Sequence, residues 1–240
     1  MSARDEKEAV HPDVGVVIVA AGSGSRAAGT TGELKQFRWV GDKPMLLHTV
    51  HAFQKRADVA LVVCVLPRSH AADPPPWLFQ CDLDRLLVST GGAYRGESVL
   101  SGLEDLPDDV SIAVIHDAAR PLVADATIDA VIAEARRGRG AVAALPVVDT
   151  LKEVDAEGRI TRTIDRDGLW RAQTPQAFPL RLIERAYMEA VRDGVSATDD
   201  AALVERLGEE VVVVRGSERA MKVTDESDFA RVERLSTLLD

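Results

Sequence analysis

Short apolar runs alternate with segments of helical length along most of the chain. The runs are rich in β-branched residues, which is typical of strands buried on both faces, and the segments between them favour helices. The apolar runs are Val16–Ala21, Val59–Leu66, Leu86–Ser89, Ser111–Ile115, Ala141–Val148 and Val211–Val214. The helical segments are Pro44–Arg56, Ser98–Leu106, Asp125–Arg137, Leu180–Arg192, Asp199–Leu207 and Asp225–Leu239.

This alternation predicts an α/β, Rossmann-like fold, in which a mostly parallel sheet is covered by helices. In such sheets ligands bind beyond the carboxyl ends of the strands. Gly22–Gly24, Gly91–Gly92 and His116–Asp117 each follow an apolar run. We therefore expect these three clusters to meet on one rim of the sheet.

One region, Pro146–Pro179, interrupts the alternation. Apolar and polar residues alternate around Glu157–Gly158, which predicts a small hairpin that projects from the domain at about residues 146–170. Projecting arms of this kind often serve dimerisation. We expect one domain over residues 14–240, with a protruding β-arm used for dimerisation, and a flexible charged tail over residues 1–13.

Composition and charge narrow the classes of function. The chain has 240 residues, of which 46% are hydrophobic, and a formal net charge of −10. This acidic balance argues against a general nucleic-acid surface. The charged start of the chain and the lack of a run of about 20 apolar residues predict neither an export signal nor a membrane anchor. Cys64 and Cys81 lack metal-site spacing and suggest reduced thiols, so we expect a cytoplasmic protein without a membrane or nucleic-acid partner.

The glycine-rich segment after the first apolar run carries the strongest chemical signal. Gly22 and Gly24 would let backbone N–H groups approach an anion, and Arg26 and Lys35 add positive charge. These features favour a phosphate cradle over an ordinary strand-to-helix turn. A dinucleotide fingerprint would open a helix directly, but poor helix formers follow at residues 29–32. A P-loop would need Gly-Lys-Ser/Thr, which is absent here. The remaining candidate, Gly-x-Gly-x-Arg with a later lysine, is the loop of nucleotidyltransferases.

Other candidate residues are ambiguous when each is taken alone. Asp117, near a phosphate loop, is suited to hold Mg²⁺ beside a triphosphate, or it caps a turn. Arg120 suits a phosphate or a surface acid. Glycines at 91–92 and the Ser98 hydroxyl suit a pyrimidine base or a simple turn. Lys222 alone would be surface charge.

Taken together, the motifs resemble one family, the 2-C-methyl-D-erythritol 4-phosphate cytidylyltransferases of the non-mevalonate isoprenoid pathway. The match runs from about Gly15 to the end of the chain, although Leu34 stands where the family usually has proline and Ala27 where it has a bulkier residue. The motifs are AAGSGSR at Ala20–Arg26, LKQF at Leu34–Phe37, GGAYRGESVLSGL at Gly91–Leu103, HDAARP at His116–Pro121, DTLK at Asp149–Lys152, DRDGLWRAQTPQAF at Asp165–Phe178, TDDAALVE at Thr198–Glu205 and MKVT at Met221–Thr224.

The resemblance implies a role for each matched residue in a single nucleotidyltransferase domain. Catalytic cations that hold the triphosphate are implied at Arg26, Lys35 and Lys222. Nucleotide contacts are implied at Ala20, Ala21, Gly22, Gly24, Gly92, Ala93 and Ser98. Substrate contacts are implied at Asp117, Arg120, Thr150 and Arg166, with Asp117 also linked to Mg²⁺. Thr150 and Arg166 would reach from the arm into the neighbouring subunit, which implies a homodimer with composite active sites.

The implied reaction joins CTP to a sugar-alcohol phosphate, 2-C-methyl-D-erythritol 4-phosphate. A phosphate oxygen attacks the α-phosphorus in line and pyrophosphate leaves; the attacking group is already ionised, so no general base is needed. A ribitol-5-phosphate cytidylyltransferase is the nearest alternative because it shares most of these motifs. A non-catalytic nucleotide-binding module and a dinucleotide-dependent oxidoreductase are more distant alternatives.

Overall fold

A central sheet organises the protein, whose computed structural model describes residues 11–22 and 33–237. Within these residues seven strands form the sheet in the order β11-β7-β10-β6-β1-β4-β5, and two short hairpins, β2-β3 and β8-β9, lie outside it. The strands are β1 Val14–Val19, β2 Trp39–Val40, β3 Lys43–Pro44, β4 Val59–Leu66, β5 Leu86–Thr90, β6 Ile112–Asp117, β7 Gly140–Pro146, β8 Leu151–Val154, β9 Ile160–Ile164, β10 Trp170–Pro179 and β11 Val211–Arg215.

Helices cover both faces of this sheet, as the alternating pattern predicts. The helices are α1 Met45–Gln54, α2 Arg68–Ala71, α3 Arg95–Glu104, α4 Asp125–Arg136, α5 Leu180–Arg192, α6 Asp200–Arg206 and α7 Glu226–Ser236. Val16 and Ile18 of β1 lie in one apolar cluster with residues of α1 and α4. Val17, between them, lies in a second cluster with residues of α3, α5 and α6. Since successive side chains of a strand point to opposite faces, a strand covered on both sides is apolar throughout.

The prediction of a mostly parallel sheet is confirmed. Strand β1 pairs in parallel with β4 and β6, β4 with β5, and β7 with β11. The exception is β10, which lies between β6 and β7 and runs antiparallel to both. The sequence analysis did not predict this strand. Its register with β7 shifts between Ala172 and Gln176, around the cis Thr174–Pro175 bond.

Two boundaries near the predicted rim need correction. Strand β6 does not end at Ile115 but continues through His116 and Asp117, because Asp117 is still in register with Val19 of β1. Helix α3 begins at Arg95 rather than at Ser98. Both corrections bring polar side chains onto regular elements, so their directions are determined by the sheet and the helix.

The predicted hairpin is present as β8-β9, paired antiparallel, with Gly158 in the left-handed region at φ +79°. Glycine adopts this conformation without steric cost. We call residues 146–170 the arm, as predicted from the sequence; its use in dimerisation stays a prediction. Of the predicted tail, residues 1–10 lie outside the described part of the chain. Asp13, at its end, forms an ion pair with Arg136. No helix within the described residues is long and apolar enough to cross a bilayer.

Candidate active site

A cavity of about 510 Å³ opens at the carboxyl ends of β1, β5 and β6. We call it the main cavity. Strand ends and the turns after them supply its walls, as expected for a sheet of this type. Of the residues predicted from the sequence, those that line it are Ala20, Ala21, Gly22, Lys35, Gly92, Ala93, Ser98, Asp117 and Lys222.

Three cations surround Asp117 at the end of β6. The Nζ of Lys222 lies 2.7 Å from Oδ2 of Asp117, and the Nε of Arg120 lies 3.8 Å from the same oxygen. On the other side, Nε of Arg95 lies 3.6 Å from Oδ1. Folding therefore brings Lys222, 105 residues away in the chain, onto the predicted acidic residue.

This surrounding charge determines the ionisation of Asp117. Burial by itself would raise the pKa of the carboxyl, but Lys222 and Arg95, with a smaller contribution from Arg120, lower it to about 2. The positive charges thus outweigh the loss of solvation. Asp117 is an ionised carboxylate at neutral pH, which is the form that binds metal ions.

Hydrogen bonds across β6 and β10 hold this strand end in place. The backbone N–H of Asp117 donates to Oγ1 of Thr174 at 3.0 Å. Nε2 of His116 donates to the carbonyl oxygen of Arg120 at 3.1 Å, so its Nδ1, 3.1 Å from the Thr174 hydroxyl, is the acceptor. Burial lowers the pKa of His116 to about 4, and this histidine is therefore a neutral structural residue.

The segment Lys35–Phe37 links the two sides of the main cavity. Nζ of Lys35 donates to the carbonyl oxygen of Val223 at 2.8 Å, next to Lys222. Nε2 of the buried Gln36 donates to the carbonyl oxygens of Ala20 at 2.6 Å and Gly22 at 3.2 Å. These bonds attach the start of the glycine-rich loop to the segment that carries Lys35, and they attach that segment to the one that carries Lys222.

The opposite wall is the turn between β5 and α3. The N–H of Gly92 donates to Oγ of Ser98 at 3.2 Å, and the N–H of Ala93 donates to Oε2 of Glu97 at 2.7 Å. A Cβ at Gly91 would lie 2.2 Å from Cβ of Ala21, so only glycine allows these two walls to come together. The predicted turn is thus a wall of the cavity.

A smaller cleft of about 240 Å³ adjoins the main cavity. We call it the side cleft. Arg95, Asp117 and Lys222 line both spaces, whereas Arg120 and Thr198 line only the side cleft. Nε of Arg120 is buried and has no hydrogen-bond partner among the described residues. The side cleft therefore offers an unused donor beside a lysine, which suits an anionic group.

Two of the predicted residues lie elsewhere, and two others fall outside the described residues. Thr150 and Arg166 line a groove on the arm, together with Thr163 and Asp165, and they do not line either cavity. Gly24 and Arg26 lie outside the described residues, so their positions in the site stay predictions. Within one described chain, the arm residues and the strand-end residues are thus two separate sets.

The structure also shows polar residues that the sequence analysis did not select. Thr198–Asp199–Asp200 has the sequence pattern of a helix N-cap, and Asp199 does accept from the N–H of Ala202 at the start of α6. Asp200, however, is fully buried and accepts from both Nη atoms of Arg95. The sequence signal for its burial was the position of this second acidic residue, which follows the cap and shares a helix with apolar residues. Three further buried residues with polar groups were not selected from the sequence: Gln36, Thr174 and Tyr187.

The main cavity has few side chains that could bind a divalent cation. No group of three or more His, Cys, Asp or Glu side chains within the described residues could hold a metal ion. Asp117 is the one carboxylate among the described residues that line the main cavity. Mg²⁺ keeps several waters and binds through one or two carboxylates plus substrate phosphates. A single ionised aspartate beside a cationic cavity fits such an ion.

The chain is similar to known proteins over most of its length. Residues 14–237 match the family model "IspD: 2-C-methyl-D-erythritol 4-phosphate cytidylyltransferase". The protein of that name from Desulforamulus reducens is 40% identical over 219 residues, covering 90% of this chain and 93% of the relative. A "Bifunctional enzyme IspD/IspF" from Desulfotalea psychrophila is 38% identical, and here the match covers 91% of this chain but 55% of the relative's length.

A solved structure supports the same comparison. The 2-C-methyl-D-erythritol 4-phosphate cytidylyltransferase from Thermus thermophilus aligns with a TM-score of 0.79 and 35% identity, covering 94% of this chain and 99% of that one. The similarity therefore extends over the sheet, both layers of helices and the strand ends that form the main cavity.

Proposed function

Since this chain belongs to the 2-C-methyl-D-erythritol 4-phosphate cytidylyltransferase family, we propose that it transfers CMP from CTP to 2-C-methyl-D-erythritol 4-phosphate. The products are 4-diphosphocytidyl-2-C-methyl-D-erythritol and pyrophosphate. One observation carries the proposal at the level of residues: Lys35 and Lys222 line the same cavity as Asp117, although they lie far apart in the sequence.

The chemistry requires positioned positive charge. An oxygen of the sugar phosphate attacks the α-phosphorus of CTP while pyrophosphate leaves from the opposite side, so two anions must come together. Lys222 and Lys35 supply charge near the transferring group, and Arg26 is proposed to do the same from the glycine-rich loop. Such fixed charges stabilise the transition state without reorganisation of solvent. No side chain has to act as a nucleophile or a general base.

Asp117 is the proposed residue for a divalent cation, and the proposed ion is Mg²⁺. When bound, this ion would neutralise charge on the phosphates of the nucleotide. Asp117 can serve because it is ionised, lies at a strand end and lines both the main cavity and the side cleft. In the described structure Lys222 occupies one oxygen of Asp117, so the lysine and the ion would share this carboxylate.

The wall formed by the β5–α3 turn is the proposed site for cytosine. Gly92, Ala93 and Ser98 line the main cavity on a turn whose shape is held by hydrogen bonds from the Gly92 and Ala93 N–H groups. Ala20, Ala21 and Gly22 lie on the adjacent wall and leave space for the nucleotide because their side chains are small. Gly24 is proposed to extend this wall.

The side cleft is the proposed site for the phosphate of the sugar alcohol. Nε of Arg120, which has no hydrogen-bond partner in the part of the chain that the structure describes, and the shared Lys222 are suited to an anion. Thr150 and Arg166 do not reach this cleft within one chain. We propose that they complete it in a homodimer, in which the arm of each protomer contributes to the site of the other.

The first test measures pyrophosphate release from CTP and the sugar phosphate by purified protein and by Lys35→Ala and Lys222→Ala. Each substitution removes one stabilising charge and should lower kcat by about 10²–10³-fold, by analogy with oxyanion-hole donors. Lys55→Ala is the control, because Lys55 follows α1 and pairs with Asp125, and neither residue lines the main cavity or the side cleft. Unchanged kcat in both cavity variants would refute these roles.

The same assay separates the alternative functions. Ribitol 5-phosphate replaces the erythritol substrate in a parallel reaction. Faster release of pyrophosphate with ribitol 5-phosphate would mean that it is the preferred acceptor, and the proposed substrate would then be wrong. Calorimetry with CTP completes the test. Binding of CTP without pyrophosphate release from either acceptor would indicate a non-catalytic nucleotide-binding module.

Composite sites can be tested by mixing two inactive variants. Arg166→Ala protomers retain Lys222, and Lys222→Ala protomers retain Arg166, so a mixed dimer would contain one intact site. Activity that returns after the two variants are mixed and allowed to exchange subunits would support the composite site. If light scattering detects mixed dimers and activity does not return, Arg166 does not act across the interface.

A further inference from the structure

Two buried polar side chains, Asp200 and Tyr187, lie behind the main cavity and have no role in the reaction described above. Asp200 binds Arg95, which is partly exposed and lines the cavity. Asp200, the first residue of α6, is 0% exposed, and Tyr187 of α5 is 4% exposed. Asp200 accepts from Nη1 and Nη2 of Arg95 at 2.8 and 2.7 Å, and from the hydroxyl of Tyr187 at 2.5 Å. Burial of a carboxylate is costly unless it is paired and hydrogen-bonded, and here both conditions are met.

Arg95 connects these two side chains to the site. Both Nη atoms face Asp200, which leaves Nε as the nitrogen nearest Asp117, 3.6 Å from Oδ1. The planar guanidinium thus lies between two carboxylates, one buried and one that lines the main cavity. A lysine could not replace it, because an ammonium group has no such fork of donors.

The position of Arg95 in its helix supports a specific role. Arg95 is the first residue of α3, where the helix dipole disfavours a positive charge. The negative charge of Asp200, which binds both Nη atoms of Arg95, offsets this unfavourable interaction with the helix dipole. Burial would lower the pKa of Arg95, yet the bonds to Asp200 raise it, so the guanidinium stays charged and fixed.

Asp117 is held differently at its two oxygens. Oδ2 contacts Lys222 and lies near Arg120, whereas Oδ1 faces Arg95. We propose that Asp200 and Tyr187 fix the guanidinium of Arg95, and that Arg95 is a positioning residue that orients the carboxylate of Asp117 between the main cavity and the side cleft. This inference rests on the proposed function, because it assigns Arg95 to the same reaction.

The test compares Arg95→Lys, Asp200→Asn and Tyr187→Phe with Arg139→Lys. Arg139 also pairs with two acids, the half-buried Glu134 and the exposed Glu210, but it lies just before β7 and lines neither the main cavity nor the side cleft. All assays are run below the lowest unfolding temperature in the set. Misplacement of a reacting group by 1 Å can cost about 10²-fold in rate, so we expect kcat to fall by about this factor in Arg95→Lys. Asp200→Asn and then Tyr187→Phe should show smaller losses, and Arg139→Lys none.

Two further measurements separate positioning from a merely structural role. In a double-mutant cycle with Asp117→Asn, measured in single turnovers with excess enzyme, Arg95→Lys should cost much less than in the parent chain, because its effect passes through Asp117. CTP affinity, measured by calorimetry without a divalent cation, should stay close to that of the parent chain. Equal costs in both backgrounds would overturn the inference, and a loss of CTP affinity that matches the loss of kcat would instead make Arg95 a direct nucleotide contact. Lack of turnover by the parent chain would contradict the proposed function itself.

Discussion

Two arginine–carboxylate pairs, one on the arm and one behind the main cavity, have the same chemistry in opposite surroundings. On the arm, Nε of Arg162 lies 2.6 Å from Oε2 of Glu153, with side chains 69% and 50% exposed. Behind the main cavity, Nη2 of Arg95 lies 2.7 Å from Oδ2 of the fully buried Asp200. The distances are alike, so distance alone does not indicate what a pair contributes.

The surroundings make the difference. An exposed pair exchanges hydration for contact and contributes about 0–1 kcal/mol. When one partner of a buried pair is removed, the other charge is left without compensation in a medium of low dielectric constant. Removal of one partner should therefore cost more behind the main cavity than on the arm, where water can replace the lost partner.

The largest expected effect comes from breaking the buried pair. Asp200→Ala removes the acceptor that both Nη atoms of Arg95 share with the buried Tyr187 hydroxyl, and it should lower the free energy of unfolding by about 3–5 kcal/mol. Urea denaturation measures the change, with Asp129→Ala as a control, since Asp129 pairs with Arg56 but is exposed. A loss no larger than in the control would mean that the burial of Asp200 does not strengthen its pair with Arg95.

A smaller effect is expected from Gln36→Leu. The leucine keeps the volume but leaves the buried carbonyl oxygen of Ala20, and that of the exposed Gly22, without the Gln36 donor. An unsatisfied buried acceptor costs about 1–3 kcal/mol. Urea denaturation should show this loss, and CTP affinity should fall because the glycine-rich loop is no longer attached. Gln80→Leu, at an exposed position, is the matched control and should change neither quantity.

The smallest effect is expected on the arm. Glu153 and Arg162 face each other across β8-β9, and cross-strand pairs contribute about 0.2–1 kcal/mol. Glu153→Ala, Arg162→Ala and the double variant should therefore show a coupling energy of that size in urea denaturation, reduced by added salt. Coupling as large as that of the buried pair would show that solvent exposure does not explain the difference.

The fold could be predicted where the pattern was local. The run Val59–Leu66 and the helix Leu180–Arg192 occur with the predicted bounds, because a buried strand and an amphipathic helix each have a recognisable period. Strand β10 could not be predicted in this way, since Gln173, Thr174 and Gln176 are polar yet buried. The amide of Gln176, for example, donates to Asp199 and accepts from Ala201. An argument from periodicity assumes that polar residues are exposed. Here hydrogen-bond partners offset the cost of burying a polar group, so the assumption fails.

Candidate site residues, too, could be predicted where the signal was local and not where it depended on distant contacts. Motifs led to Asp117 and Lys222 because each stands in a short, recognisable segment. Arg95 and Asp200 were missed because their roles exist only in relation to each other, across 105 residues of chain. The pattern at Thr198–Asp199 correctly indicates a helix cap, but it says nothing about the role of the next carboxylate, Asp200.

The sequence by itself determined the alternation of strands and helices, the glycine turns at the strand ends and the types of charged groups available, because these depend on neighbours within a few residues. Tertiary structure alone decided which cation faces which oxygen of Asp117, and which acid is buried behind Arg95. Those choices depend on solvent exclusion and on contacts between distant segments, and both arise only when the sheet and its helices have packed together.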